Sequence, residues 1–302
     1  MKLGLGTAQF GINYGISNWR LQTPKSEVER ILAYADENGV HMIDTAPIYG
    51  SAESILGDLL PDHHSFRIVT KTKPCSCDWI TTGERSQLKT TFYQSLEKLK
   101  QSKLYGLLVH HGDDLLRPGG ELLVDALCDL KAEGLVDKIG VSVYTREEID
   151  AIVRMFMPDL VQVPVNMLDQ RLIRNGCLEQ MAAVDIEIHA RSVFLQGLLL
   201  MDVEEVPSYF EPIKSHLQAL HRELDSRGIS RLAAALDFVM RQEEIGTVVV
   251  GVAASSELVE IISAAASQPE QGMDYSRWAL SESRFLNPSM WEITDRLTTI
   301  ER

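Results

Sequence analysis

The chain has 302 residues, of which 45% are hydrophobic and 24% are charged, and its 29 basic and 43 acidic residues give a formal net charge of −14. Nucleic acids and anionic membranes bind clustered Lys and Arg, so this acidic balance argues against both as partners. The length suits two average domains or one α/β barrel.

The cysteines and the N-terminus indicate the compartment. Cys75, Cys77, Cys128 and Cys177 form neither a CxxC pair nor a cluster with His, so we expect reduced thiols and no bound metal. The first residues, MKLGLGTAQFG, lack the long apolar core of a signal peptide, and no run of residues is apolar enough to span a membrane. We therefore expect a cytoplasmic protein.

Short apolar runs alternate with amphipathic stretches along the chain. Nearly continuous apolar runs are typical of strands that are covered on both faces. Eight such runs, each followed by a helical pattern, predict a (β/α)8 TIM barrel that makes residues 1–302 one domain. A doubly wound open sheet is the alternative, and the absence of GxGxxG after the first strand weakens it. The predicted strands are KLGLGTA, HMIDTA, FRIVTKT, LYGLLVHH, KIGVSVY, LVQVPVN, IEIHARSVF and TVVVGVA.

The helical patterns fill the gaps between these strands. The first, PKSEVERILAYADENGV, has Pro24 for its first turn and Gly39 for its end. CLEQMAAV is the helix expected after strand six. An extra helical segment, roughly residues 200 to 243, separates strands seven and eight. From about residue 268 the pattern is irregular, and its aromatic residues are free to pack on the barrel or on a partner.

Enzymes with this fold place their chemistry at the C-terminal ends of the strands. We therefore expect the polar residues found there to face one mouth. In chain order they are Asp44, Lys71, His110 and His111, Ser142, Gln162, Asn166, Arg191 and Ser192. Tyr49 follows the second strand by a few residues.

Four of these residues form a coherent proton-donating set. A tyrosine has an ordinary pKa near 10, too high for efficient proton donation at neutral pH. A buried Lys71 beside Tyr49 favours the phenolate and lowers that pKa, and Asp44 offsets the cost of burying the ammonium. A neutral His110 orients a carbonyl oxygen by a hydrogen bond. The set suits protonation of an alkoxide as a hydride arrives.

The same stretches resemble the aldo-keto reductase family along nearly the whole chain. They are GLGTAQFG, IDTAPIYGSAE, VTK ending at Lys71, LLVH ending at His110, GVS ending at Ser142, and VQVPVN. The resemblance implies reduction of an aldehyde or ketone, a small-molecule carbonyl substrate, and NADPH or NADH as cofactor. It casts Tyr49 as general acid tuned by Lys71 and Asp44, with His110, rather than His111, orienting the carbonyl.

The resemblance also implies a set of cofactor-binding positions around the mouth. Ser142, Gln162 and Asn166 match positions near the nicotinamide carboxamide. The full expected set is Gly6, Thr7, Ser142, Gln162, Asn166, Arg191, Ser192, Gly251, Ser255 and Glu257.

Two residues depart from the family pattern. Arg191 stands where many members have a tyrosine that stacks on the nicotinamide, and it suits stacking or binding of an anionic group of the substrate. Glu257 stands where members that use NADPH present a basic residue to the 2′-phosphate, so it favours NADH. Ser255 or Ser256 is expected to cap the last helix.

Two other functions stay open at this stage. The departures at Arg191 and Glu257 are compatible with a cofactor-binding regulatory barrel that has little turnover. Lys71 also suits a lyase or isomerase that forms a Schiff base with its substrate. The sequence fixes neither the substrate nor the oligomeric state.

Overall fold

Eight parallel strands close into a barrel in which each strand pairs with the next and β8 pairs with β1, as the sequence predicts. The structure, a computed structural model, describes residues 2–18, 21–267 and 273–293. The strands are β1 (Leu3–Gly6), β2 (Met42–Asp44), β3 (Arg67–Lys71), β4 (Leu104–Val109), β5 (Val136–Ser142), β6 (Leu160–Pro164), β7 (Glu187–Arg191) and β8 (Ile245–Gly251).

Helices surround this barrel. They are α1 (Ala8–Gly11), α2 (Lys25–Glu37), α3 (Ala52–Leu59), α4 (Thr82–Leu99), α5 (Asp113–Leu116), α6 (Glu121–Ala132), α7 (Arg146–Met155), α8 (Arg171–Arg174), α9 (Cys177–Ala182), α10 (Lys214–Ser226), α11 (Arg231–Met240), α12 (Ser255–Ala266) and α13 (Ser283–Leu286). Short 3-10 turns cover Leu195–Gly197, Val203–Glu205, Ser208–Ile213, Ser276–Trp278 and Pro288–Met290. Within the described ranges, no helix is long and apolar enough to cross a membrane.

Helix α2 shows how the sequence sets these elements. Its buried positions, Val28, Ile31, Leu32 and Ala35, follow the spacing of one helical face and pack in the shell between strands and helices. Truncation of one such buried Ile to Ala costs about 2–5 kcal/mol. Pro24 occupies the N-cap rather than the first turn, and Gly39 follows the helix with a left-handed φ of 73°.

Two regions differ in detail from the predictions. The helix expected after β6 is α9, and it is preceded by a short helix that was not predicted, α8, with Gly176 between them in the left-handed region at φ of 70°. The extra helical segment expected before β8 contains two α-helices, α10 and α11, which follow short 3-10 turns.

The tail packs on the barrel in its described part. Trp278 and Phe285 are buried, and the ring of Trp291 lies 4.9 Å from that of Phe210. Residues 268–272 and 294–302 of the predicted irregular tail lie outside the described residues.

Side chains inside the barrel are arranged in layers, and β3 passes through three of them. Alternate residues of a strand share a face, so Arg67, Val69 and Lys71 lie one above another. The middle layer is apolar and contains Met42, Val69, Leu108 and Leu160. Met42, Val69 and Leu160 each precede a polar residue of the mouth by two positions on the same strand, and Leu108 precedes His110, which directly follows β4. The apolar layer thus separates the polar groups of the two ends.

A charged network lies at the N-terminal ends of the strands. Glu187 accepts hydrogen bonds from Tyr105 Oη at 2.6 Å, from Lys138, and from His189 Nε2 at 2.7 Å. Arg67 stacks on Tyr105, with its guanidinium carbon 5.0 Å from the ring centroid. Although burial acts in the opposite direction, these hydrogen bonds lower the pKa of Glu187 to about 2. The carboxylate is therefore ionised throughout the physiological range of pH.

Candidate active site

A cavity of about 410 Å³ opens at the C-terminal ends of the strands, a size typical of small-molecule sites. All four predicted catalytic residues line it. Of the predicted cofactor positions, Gly6, Thr7, Ser142, Gln162, Arg191, Ser192, Gly251 and Glu257 line it as well. Asn166 and Ser255 are not among its lining residues.

A buried ion pair forms the floor of this cavity. Asp44 ends β2 and Lys71 ends β3, and their Oδ2 and Nζ atoms are 2.6 Å apart. Both side chains are almost fully buried, with 6% and 1% exposure. Lys71 Nζ also donates to the carbonyl oxygen of Thr45 at 3.1 Å. These bonds offset the desolvation of the two charges and hold both side chains in one position.

Three further hydrogen bonds fix Asp44. Its Oδ1 accepts from Gln162 Nε2 at 2.7 Å, which joins β6 to β2 across the barrel. Its backbone carbonyl accepts from both the backbone N–H and the hydroxyl of Thr7, each at 3.0 Å. The carboxylate therefore stays in place without a ligand. Gln162, which we predicted as a cofactor contact, has its amide nitrogen engaged by the protein.

The loop after β2 delivers Tyr49 beside this pair. A Cβ on Gly11 would lie 1.7 Å from the carbonyl oxygen of Tyr49, so only glycine lets the β1 loop pack against the Tyr49 turn. Gly50 follows in the left-handed region with φ of 57°. Lys71 Nζ lies 5.3 Å from the centroid of the Tyr49 ring. The local backbone thus places the phenol next to the ammonium.

The pKa of Tyr49 differs from our prediction. Burial raises the pKa of Tyr49 well above 10, the charge of Asp44 raises it further, and Arg191 acts in the opposite direction. Burial also lowers the pKa of Lys71, against the opposing effect of Asp44. The expected lowering by Lys71 is not among the effects on Tyr49, and Asp44, which is paired with Lys71, raises the pKa instead. Tyr49 is consequently a protonated phenol at neutral pH.

His110 and His111 both line the cavity, in different surroundings. The ring of His110 meets Tyr49 edge to face, with centroids 6.0 Å apart, and its Nδ1 is buried without a hydrogen-bond partner in the described chain. Burial, followed by the charges of Lys71, His111 and Arg191, holds the pKa of His110 well below 6.5. His110 is therefore neutral at pH 7, whereas His111 is largely exposed.

Arg191 ends β7 and lies against the residues that follow β5. Its guanidinium carbon is 4.1 Å from the centroid of the Tyr144 ring. Its nitrogens donate to Ser142 Oγ, Ser192 Oγ and the carbonyl oxygen of Val143, each at 3.3 Å. These are long hydrogen bonds, since N–H···O distances usually lie near 2.9 Å.

Asn166, which we predicted as a cofactor contact, lies just after β6 and is hydrogen-bonded within the protein. Its Oδ1 accepts the backbone N–H groups of Leu168 and Asp169, both at 2.9 Å. Its Nδ2 donates to the carbonyl oxygen of Ser192 at 3.0 Å. The amide is thus engaged at both ends, and it shapes the turn after β6 and the end of β7.

The far end of the cavity lies at the N-terminus of α12. Our prediction of a serine cap is wrong, because Ala254 is the N-cap residue and no side chain of that residue caps the helix. Glu257 Oε2 instead accepts the N–H of Ala253 at 2.8 Å, and Glu27 Oε1 accepts the N–H of Ser255 at 2.5 Å. The hydrogen bond from Ser255 is the main cause that lowers the pKa of Glu27 to about 2. Two carboxylates therefore sit at this helix end.

Several lining residues were not found by sequence reasoning. Tyr14, Tyr144 and Gln196 line the cavity, and Tyr14 and Gln196 come from loops that touch each other, since Ile16 N–H donates to the carbonyl oxygen of Gln196 at 3.2 Å. Tyr144 was weakly indicated as a lining residue by its place in the sequence, two residues after Ser142, which ends β5. In the parts of the chain that the structure describes, no group of three or more His, Cys, Asp or Glu side chains is arranged to hold a metal ion.

Comparisons with known proteins agree with this geometry. The sequence profile of the Aldo/keto reductase family matches residues 2–279. YqkF of Bacillus subtilis (strain 168), described as an uncharacterized oxidoreductase, is 24% identical over 281 residues, which cover 87% of this chain and 90% of YqkF. The aldo-keto reductase YhdN of the same organism is 25% identical over 178 residues, which cover 57% of this chain and 52% of YhdN.

Two solved structures show the same fold at low identity. The aldo-keto reductase AKR11C1 from Bacillus halodurans, in its holo form, has a TM-score of 0.72 and 17% identity, with 96% of this chain and 94% of that chain covered. The glycerol dehydrogenase AKR11B4 from Gluconobacter oxydans has a TM-score of 0.68 and 19% identity, with 88% and 87% covered. With the family match over nearly the whole length and the barrel described above, the chain is an oxidoreductase that belongs to the aldo/keto reductase family.

Proposed function

We propose that the protein reduces an aldehyde or ketone to an alcohol with NADH or NADPH, using Tyr49 as the proton donor. The proposal rests on which side chains at the floor of the cavity are bonded to one another and which are not. Asp44 and Lys71 are bonded to each other, whereas Tyr49 makes no hydrogen bond that affects its pKa and Nδ1 of His110 is buried without a partner among the described residues. Two donors in a cavity without protein partners suit a ligand oxygen.

Each side chain has a definite role in this proposal. Neutral His110 donates a hydrogen bond to the carbonyl oxygen and orients it beside Tyr49. Tyr49 gives its phenolic proton to the alkoxide oxygen as that charge develops. The ammonium of Lys71 stabilises the phenolate left behind, and Asp44 keeps the ammonium in position. Tyr49 then recovers a proton from water before the next turnover.

The cavity has residues suited to a nicotinamide dinucleotide. Gly6 and Gly251 pair with each other on adjacent strands and line the mouth, and Ser142 and Ser192 offer hydroxyls near Arg191. The bound cofactor would supply the hydride. A closed barrel with one polar mouth also keeps bulk water away from the Asp44–Lys71 floor, which strengthens its electrostatic effect.

We further propose that NADH is the preferred cofactor. Glu27 accepts the N–H of Ser255 but is paired with Arg30, so the carboxylates in the cavity lining at this end are those of Glu257 and Glu260. These two carboxylates repel a 2′-phosphate, while a carboxylate accepts hydrogen bonds from free ribose hydroxyls. The backbone N–H groups of Ala253, before α12, and Ser255, its first residue, are already bonded to Glu257 and Glu27.

The first experiment titrates the purified protein with NADH and with NADPH, followed by intrinsic tryptophan fluorescence. We expect NADH to bind at least about tenfold more tightly, because like charges brought together are strongly unfavourable. The absorbance of the reduced cofactor is then followed with a panel of aldehydes, each with and without protein. Tighter binding of NADPH would contradict the role given to the carboxylates, and binding without oxidation of the cofactor would favour a regulatory barrel.

The Schiff-base alternative is tested in the same preparation. Lys71 is held in an ion pair at 2.6 Å, which makes its nitrogen a poor nucleophile. We expect borohydride and the aldehydes to leave Lys71 without a covalent adduct by peptide mass spectrometry. An adduct on Lys71 in an amount close to one per protein molecule would overturn the reductase mechanism.

A further inference from the structure

Charges inside the active-site cavity are sorted by position. Its acidic residues at the α12 end are Glu257 and Glu260, and its catalytic end contains the Asp44–Lys71 pair and Arg191. Because Asp44 compensates Lys71, Arg191 leaves an excess of positive charge at the catalytic end. The catalytic end of the cavity, beside Tyr49 and His110, therefore has an excess of positive charge.

Arg191 has no acidic partner among the residues that the structure describes. Its three hydrogen bonds go to neutral oxygens at 3.3 Å. Arg171 is a useful contrast, since both oxygens of Asp169 accept from it at 2.8 Å. The charge of Arg191 acts to lower the pKa of a nearby acid, Glu148. The carboxylate of Glu148, however, accepts the N–H of Tyr144 at 2.7 Å and forms no ion pair with Arg191. The guanidinium is held in place but its charge is not compensated.

The position of Arg191 relates it to the reacting groups. The guanidinium carbon lies 4.1 Å from the centroid of the Tyr144 ring, and three of the five N–H groups donate the long hydrogen bonds to neutral oxygens, which leaves two for a planar anion. Arg191 lines the same cavity as Tyr49 and His110, and its charge acts on the pKa of both, after the larger effects of burial and of Asp44 or Lys71. A group bound by Arg191 would thus belong to a molecule that also reaches the proton donor.

We infer that Arg191 selects carbonyl substrates that carry a carboxylate, such as aldehyde acids and oxo acids. This inference rests on the proposed reductase function. One uncompensated guanidinium flanked by two serine hydroxyls matches a monoanion, whereas a phosphate dianion usually takes more than one cation. In the described lining of the cavity, the other strong cation is Lys71, and it is paired.

The test uses the intact protein with terephthalaldehydate, the para-carboxylate of benzaldehyde, and with its neutral methyl ester. We expect kcat/KM to be about 10- to 100-fold higher for the carboxylate, mostly through KM, as a charge-assisted hydrogen-bonded pair would give. Arg191→Met should reduce this ratio to near one. The matched control Arg222→Met, which removes an exposed arginine of α10 outside the cavity, should keep the ratio.

A binding measurement separates this inference from the proposed function. Calorimetry of the protein with benzoate and with benzamide is expected to show tighter binding of benzoate and loss of the difference in Arg191→Met. If neither aldehyde is reduced, the proposed function fails and this measurement alone decides the inference. Equal binding of benzoate and benzamide would overturn the inference. So would a kcat/KM ratio for the two aldehydes that is unchanged in Arg191→Met, or a loss of NADH affinity in that variant as large as its loss of benzoate affinity.

Discussion

The two ends of the barrel contain the same four kinds of polar side chain in different states of pairing. The C-terminal end holds Asp44, Lys71, Tyr49 and His110, and the N-terminal end holds Glu187, Lys138, Tyr105 and His189. At the N-terminal end, the lysine, tyrosine and histidine all bond to the carboxylate. At the C-terminal end only the lysine does, and the tyrosine and histidine face a cavity.

This difference distinguishes polar side chains that stabilise the fold from polar side chains that are available to a substrate. A hydroxyl that donates to a buried carboxylate contributes to folding, and its removal leaves the acceptor unsatisfied. A hydroxyl without a protein partner contributes little to folding and is available to a substrate. The residue types alone would not distinguish the two ends, because the pairing decides the role.

The largest effect is expected from paired tyrosine variants. Tyr49→Phe should lower kcat for carbonyl reduction by about 10²- to 10⁴-fold, the usual contribution of a general acid, and should leave the melting temperature nearly unchanged. Tyr105→Phe should keep activity and destabilise the fold by about 1–3 kcal/mol, because Glu187 loses a hydrogen bond to a charged group. Steady-state kinetics and urea unfolding of both variants give the comparison, which fails if the two variants behave alike.

The second-largest effect is expected from replacing the lysine at each end of the barrel. Lys71→Met leaves Asp44 buried without a counter-ion and should cost about 3–5 kcal/mol of unfolding free energy, measured by urea denaturation. Lys138→Met should cost less, since that side chain is 33% exposed. The double variant Asp44→Leu/Lys71→Met should recover much of the loss, because no uncompensated charge remains. A double variant as unstable as Lys71→Met would contradict this account of the pair.

The smallest effect concerns acid stability. The pKa of Glu187 falls from its ordinary value of 4.5 to about 2 in the folded protein, against the opposing effect of burial. Its contribution is therefore complete above pH 4.5 and is lost as the pH falls towards 2. We expect wild type to lose about 1–3 kcal/mol more than Glu187→Gln across this window in urea unfolding. Parallel curves for the two proteins would show that the network does not hold the carboxylate ionised.

Much of the fold and part of the site could be read from the sequence. Apolar runs located all eight strands, because covered strands must be apolar on both faces. Asp44 and Lys71 were found because they interrupt such runs at the ends of β2 and β3. A polar residue that closes a buried strand has few other reasons to be there.

The remaining features depend on contacts between distant residues. The bond from Gln162 to Asp44 spans 118 positions, and that from Ser255 to Glu27 spans 228, so no local pattern reveals them. The same holds for Asn166, which follows β6 and whose amide connects the turn after β6 to the end of β7. The network around Glu187 was missed because a strand start with Glu and His reads as solvent-exposed.

The hydrogen bond between Glu27 and Ser255 has a consequence for the assembly of the molecule. It joins the first long helix to the last one, beside the seam where β1 meets β8. The α12 end of the cavity is therefore formed by the beginning and the end of the chain together. A dinucleotide that bound at this end, as proposed, would contact both parts of the chain at once and would therefore stabilise the closed ring over any open form.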